Sequence, residues 1–240
     1  MKILVCIFIL ALSTNAFSSS IPDFPFVTVT GESTRKVVPD NAVINLEVVT
    51  FAKESLKANG DLNKTIQNIF TILKQRNIST NNITSFEIRK ETKRAREKNG
   101  YNNLDILGYE LSQIFEIKLD NLEHYSAITA ELTKTNNIKS IASHFDATNR
   151  ETIEIELITE AGEKAKLKAN QMALGLGVKI DSVFAINDSG SYKMFFATFG
   201  LDSDRGITFN MPYASNTSSM FIPKHIEISK SINVVYKLED

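Results

Sequence analysis

Residues 42–73 read AVINLEVVTFAKESLKANGDLNKTIQNIFTIL, and within this stretch the hydrophobic period changes. Over Ala42–Val49 the apolar residues alternate, with Ile44, Leu46 and Val48 on one face, as in a half-buried strand. Further on they fall at Leu62, Ile66, Ile69, Phe70 and Leu73, a stripe that fits one side of an amphipathic helix over about Lys53–Gln75. Asn77 suits the helix exit, because Asn tolerates the left-handed cap conformation. A strand followed by a helix with one apolar side predicts helix packed on sheet.

Downstream, Ile83–Lys90 alternates again, with Phe86 and Ile88 in phase. Leu107, Tyr109, Leu111, Phe115, Ile117 and Leu119 share one parity over a long strand. Between them Arg89–Lys98 carries six basic and two acidic residues and leads to the turn dipeptide Asn99-Gly100. Asp120 and Glu123 have the spacing of a capping box for a helix to about Lys134. Asn136-Asn137 ends that helix, and Ile138–Phe145 reads as a further strand. The order from Asp40 to Thr148 is therefore β-α-β-β-α-β, the ferredoxin-like split unit.

Upstream, Phe26–Thr30 reads as a strand, broken by Gly31-Glu32-Ser33 and resumed over Arg35–Val38. Beyond the middle unit, Thr148 and Glu151 suggest a second capping box. Ile153, Ile155 and Leu157 alternate like a strand, but Ile158, Ala161, Ala165, Ala169, Met172 and Ala173 keep helical spacing. Glu residues crowd the first half and Lys164, Lys166 and Lys168 the second, the order that a helix dipole favours. This predicts a helix from Asn149 to about Leu174, stopped at Gly175. Val178–Ile186 and Ile222–Leu238 are predicted strands. The expected fold is α+β, a two-layer α/β sandwich. Its ferredoxin-like βαββαβ unit covers 40–148. A second, smaller α/β unit combines the N-terminal strand (26–39) with 149–240.

Residues 1–16 have the layout of a signal peptide: Lys2, an uncharged apolar run Ile3–Leu12, then small residues with Thr14 and Ala16 placed for cleavage. The run is too short to span a membrane, which takes about 20 residues. Export is expected, to the periplasm or to association with the outer membrane. Cys6, the single cysteine, lies inside this leader, so a processed chain has no disulfide, thiolate metal site or thiol redox chemistry. A net charge of −1 offers no field to recruit nucleic acid.

No catalytic, cofactor or metal motif stands out, and the chain reads as a non-enzyme. His124, His144 and His225 lack zinc-ligand spacing. No G-x-S-x-G nucleophile elbow occurs. Gly175-Leu176-Gly177 follows a helix rather than a strand and lacks a third Gly, so it is a helix stop, not a dinucleotide loop. Two segments read as candidate interaction surfaces, the alternatives being a solvated hairpin tip for the first and a loop folded back on its own core for the second. One is the basic run, with Arg89, Lys93, Arg94 and Arg96 as its leading residues. The other is the long Gly/Ser-rich stretch 191–217, with Tyr192, Phe195, Phe196 and Phe199, as a binding or holdase-like loop. The basic run and the Glu-rich helix start together suit a head-to-tail contact between subunits, hence a homo-oligomer.

Several motifs in order carry a family resemblance. Val27-Thr28-Val29-Thr30-Gly31-Glu32, then Val38-Pro39-Asp40-Asn41-Ala42, resembles the opening of the SIMPL-domain family, which includes bacterial periplasmic immunogenic and oxidative-stress defence proteins. Leu107-Gly108-Tyr109, the alanine-spaced helix running into Gly175-Leu176-Gly177, and the strand after Pro223 are similar to later family features. Ser33 replaces a Gly often found there. The resemblance implies an exported, oligomeric envelope protein, linked in some members to oxidative-stress protection, with no catalytic residues to carry over.

Overall fold

The structure, a computed structural model, describes residues 22–96, 102–188 and 221–239. The leader and the aromatic stretch with Tyr192, Phe195, Phe196 and Phe199 lie outside the described residues. The described chain forms two compact units, 33–159 with 221–230 and 22–32 with 160–188 and 231–239.

The larger unit is built on β2 (Asn41–Ala52). β2 pairs antiparallel with β5 (Asn102–Leu119), Ile44 facing Ile117 and Leu46 facing Phe115, and with β6 (Ile138–Asp146), Leu46 facing Ile141. The sheet order is β3-β5-β2-β6, with β3 (Ile83–Ser85) and β4 (Arg89–Arg96) both lying along β5. Counting β3 and β4 as one interrupted arm, this is the ferredoxin-like order. The alternation of β2 and β5 turns Ile44, Leu46, Val48, Leu111, Phe115, Ile117 and Leu119 to one side. There they meet α1 (Ser55–Gln75) through Leu62, Ile69, Ile72 and Leu73, and α2 (Tyr125–Lys134) through Tyr125, Ile128 and Leu132. Asn77 adopts φ 58° and Asn137 φ 67° at the two helix exits. After α1, the Asn77 and Ile78 amides return to the carbonyls of Lys74 and Leu73 at 3.0 Å each, closing the helix end.

Three local expectations are corrected. Phe86 and Ile88 do not extend a core strand; they sit in the gap between β3 and β4, each about half exposed. The capping box at Asp120 does not form, since α2 begins after His124 and the Asp120 carboxylate accepts from Asn82 Nδ2 instead. Thr148 also caps no helix. Its amide and hydroxyl both donate to Asp40 Oδ1, at 2.8 and 3.0 Å, tying the start of β2 to the chain just before α3 (Arg150–Gly175). Those bonds hold the Asp40 carboxyl below its ordinary value, the Thr148 amide contributing most.

The second sheet has the order β1-β8-β7. β1 (Phe26–Val37) runs unbroken through Gly31, where the sequence predicts a break. Its partner β8 (Ile226–Leu238) is antiparallel, with Thr30 donating to Asn233 at 2.8 Å, Thr34 bonded to Ser229 at 2.9 Å and the Leu238 amide reaching the Pro25 carbonyl. Along α3, Ile153, Leu157, Ala161, Ala165, Ala169 and Ala173 are all buried, whereas Ile155 and Met172 are exposed. In the smaller unit Ala165 and Ala169 pack on Val29, Val234 and Tyr236. In the larger unit Ile153 and Leu157 pack on Val37 and Ile228. Gly31 explains the small residues. A Cβ on it would lie 1.8 Å from the Ala161 carbonyl oxygen and 2.7 Å from the Ala165 nitrogen, so strand and helix backbones touch directly.

Gly31→Ala is expected to destabilise the protein by about 3 kcal/mol, because the methyl must displace backbone rather than a side-chain end. Thermal unfolding checks this, and an unchanged Tm would refute the close approach. Asp40→Asn tests the charged tie. A carboxyl lowered by folding adds stability above its ordinary pKa of 3.8, and that stability is lost as pH falls through the lower folded value. Urea titrations should therefore find the wild type more stable near neutrality and the difference closing in acid; a pH-independent difference would remove the ionic contribution.

Candidate functional site

In an antiparallel sheet covered on one side only, the second parity faces water. In the larger unit that parity supplies Asn45 and Glu47 from β2 and Ser112 and Ile114 from β5, with Glu47 opposite Ile114. Arg89 on β4 stands opposite Ser112. The short segment between β3 and β4 is pinned to β5 twice: the Phe86 amide donates to the Ile114 carbonyl at 3.0 Å, and Gln113 Nε2 donates to the Phe86 carbonyl at 2.9 Å. The result is an open cleft of about 590 Å³ lined by Asn45, Glu47, Phe86, Glu87, Arg89, Ser112, Gln113 and Ile114. That size lies within the range of small-molecule sites.

The charges around it are unequally engaged. Lys93 Nζ lies 2.8 Å from Glu91 and 2.7 Å from Glu110. Its bond to Glu110 raises the Lys93 pKa, and its bond to Glu91 lowers that of Glu91. Glu47 pairs with Lys139 at 3.1 Å. Arg89, by contrast, makes no ion pair among the described residues; Glu91 feels its charge only at longer range.

Of the residues that the sequence marks for interaction, Arg89 lines the cleft, while Lys93 is neutralised in its own strand pair. Arg94 stands opposite Ile106 and Arg96 opposite Asn102 farther along the same hairpin. Within the described residues, Arg89–Arg96 of the basic run is thus a strand arm. The acidic start of α3 is also engaged internally: Glu154 meets Arg150 at 3.2 Å and Lys230 at 2.7 Å, and Glu156 meets Arg35. The histidines stay apart, His124 before α2, His144 on β6 and His225 before β8, and no metal-ligating cluster occurs among the described residues. Sequence reasoning missed Asn45, Glu47, Ser112 and Ile114. The available signal was Ile114, an apolar residue out of phase with its strand.

The smaller unit presents a different surface. β7 (Ile180–Asn187) pairs antiparallel with β8, Val183 facing Tyr236 and Ile186 facing Val234. Among the described residues it has no strand on its other side. Val183, Phe184 and Ile186 remain 49%, 47% and 60% exposed. The Phe24 ring meets Phe184 edge-on at 4.9 Å, with Lys237 Nζ 5.6 Å above it.

Helices over antiparallel sheets, with an open sheet face and an apolar edge strand, define a two-layer α+β protein. Residues 27–236 match the SIMPL family, described as "Protein of unknown function (DUF541)", and the chain belongs to that family. It is also similar to "Uncharacterized protein YggE" of Edwardsiella ictaluri (strain 93-146), 19% identical over 229 residues that cover 95% of this chain and 92% of the relative. No helix of the described residues is long and apolar enough to cross a membrane.

Replacing Lys93 with Met should return the Glu91 carboxyl upward toward its ordinary range, read by carboxyl ¹³C NMR titration. A Glu91 titration that did not move would show that Lys93 is not its main partner.

Proposed function

We propose that this chain is an exported cell-envelope protein of the SIMPL family that works without catalysis, as an oligomeric scaffold linked to envelope or oxidative-stress protection. The observation that carries the assembly reading is β7. Edge strands ordinarily carry Lys, Pro or a bulge turned outward to prevent pairing with another chain. Over its eight residues β7 has register shifts at Ile180/Ser182 and Val183/Ala185, but only one charged residue, Asp181, no Lys or Pro, and three exposed apolar side chains. Such an edge, with no strand beside it among the described residues, offers apolar area at a sheet margin, and a two-fold copy of itself is the simplest partner.

Export rests on the leader layout of residues 1–16 and on family membership. Stress protection rests on the family resemblance, and it operates through assembly rather than thiol chemistry, because Cys6 is the single cysteine.

Light scattering after gel filtration of the chain lacking residues 1–16 should give a defined multimer. The double variant Val183→Lys, Ile186→Lys should lower that mass with an unchanged circular dichroism spectrum. A monomeric parent would overturn the scaffold reading; a multimer indifferent to the double variant would move the interface away from β7.

A further inference from the structure

We propose that the cleft on the open sheet face of the larger unit is a binding site for a small amphipathic monoanion, a carboxylate carried on an apolar chain. Three features select that ligand. Arg89 places a guanidinium on the cleft wall with no ion pair among the described residues, and a planar fork of donors matches a carboxylate in a bidentate manner. Of the acids around it, Glu91 and Glu110 are held by Lys93 and Glu47 by Lys139, and Glu87, also in the lining, makes no ion pair with it. Next to the charge lie Phe86 and Ile114, two half-exposed apolar side chains that a hydrocarbon chain would cover.

Charge count separates a carboxylate from a phosphate. Arg89 is one cation in a cleft whose lining also holds Glu47 and Glu87. A dianion brings a second negative charge with no partner in that lining, whereas a monoanion is neutralised once. The position of the polar groups agrees: Asn45, Ser112 and Gln113 can bond the second oxygen or a bridging water without adding charge. This site is independent of the β7 edge, which belongs to the other unit.

The test is calorimetric titration of the full chain with decanoate, alongside hexanoate, decanol, decyl phosphate and a short peptide ending in a free leucine carboxylate. Decanoate should bind, and more tightly than hexanoate by at least tenfold, since each buried methylene strengthens binding by up to about fourfold. Decanol and decyl phosphate should bind more weakly. Arg89→Gln should weaken decanoate at least tenfold, Arg89→Lys should fall between, and Ile114→Ser should reduce the dependence on chain length. Arg89 is exposed, so its variants should unfold at the wild-type temperature, which a thermal melt verifies. Absence of decanoate binding, binding unchanged in Arg89→Gln, or a preference for decyl phosphate or for the peptide would each overturn the proposal. Because Val183→Lys, Ile186→Lys leaves the cleft intact, decanoate binding in that variant separates failure of this site from failure of the assembly reading.

Discussion

The constraint on which the second sheet depends is the contact between Gly31 and α3. The Ala161 carbonyl occupies the space where any side chain at position 31 would begin. Helix and strand backbones can approach that closely only if both sides are small, and the buried stripe of α3 obeys this condition. It begins with Ile153 and Leu157 and then narrows to Ala161, Ala165, Ala169 and Ala173. The alanines carry little apolar area individually, but they let the helix lie flat against β1, and the loss of side-chain volume is offset by backbone contact. Gly108 repeats the device in the other sheet. A Cβ there would meet the Ala52 carbonyl at 2.5 Å and the Phe51 ring at 2.7 Å.

These glycines show where sequence reasoning succeeds and where it stops. Hydrophobic period identified β2, α1 and the long strand β5, because each buries one face over most of its length; Leu107 at the start of β5 stays half exposed. It also resolved α3 correctly, since alanine spacing outlasts the brief Ile153-Ile155-Leu157 alternation. Gly31 misled for a physical reason. Read locally, glycine weakens a strand and signals a break. Its actual cause lies 130 residues later, in a helix whose proximity no local pattern encodes. The capping boxes failed in a similar way. Asp120 and Thr148 have capping chemistry, but Asn82 and Asp40 bind them first, through contacts between segments distant in sequence.

The binding surfaces were less legible because they depend on which charges remain after pairing. Six basic residues in Arg89–Lys98 suggest a cationic patch. Cross-strand register engages one of them, since it sets Glu91 opposite Glu110 and brings Lys93 between them. Two like charges directly opposite would repel, and the lysine resolves the conflict at the cost of its own availability. Composition cannot distinguish Lys93 from Arg89; position in the ladder can.

That same register explains why a cleft exists at all. An antiparallel sheet with helices on one side has a wet side, which is ordinarily flat and covered by polar side chains. Here the outer arm of the sheet is interrupted. β3 pairs with Ile117–Phe115 and β4 resumes at Ser112, leaving Phe86–Ile88 outside the ladder. An uninterrupted strand would alternate Phe86 and Ile88 into one face and close the gap. Instead the Gln113 amide accompanies the backbone in holding Phe86 beside Ile114, so apolar area is kept at the surface against the tendency to bury it. Two polar bonds maintain an arrangement that hydrophobic burial alone would not favour, and beside it stands the guanidinium that the surrounding acids leave unclaimed. A break that served only to end one strand and begin another would require neither.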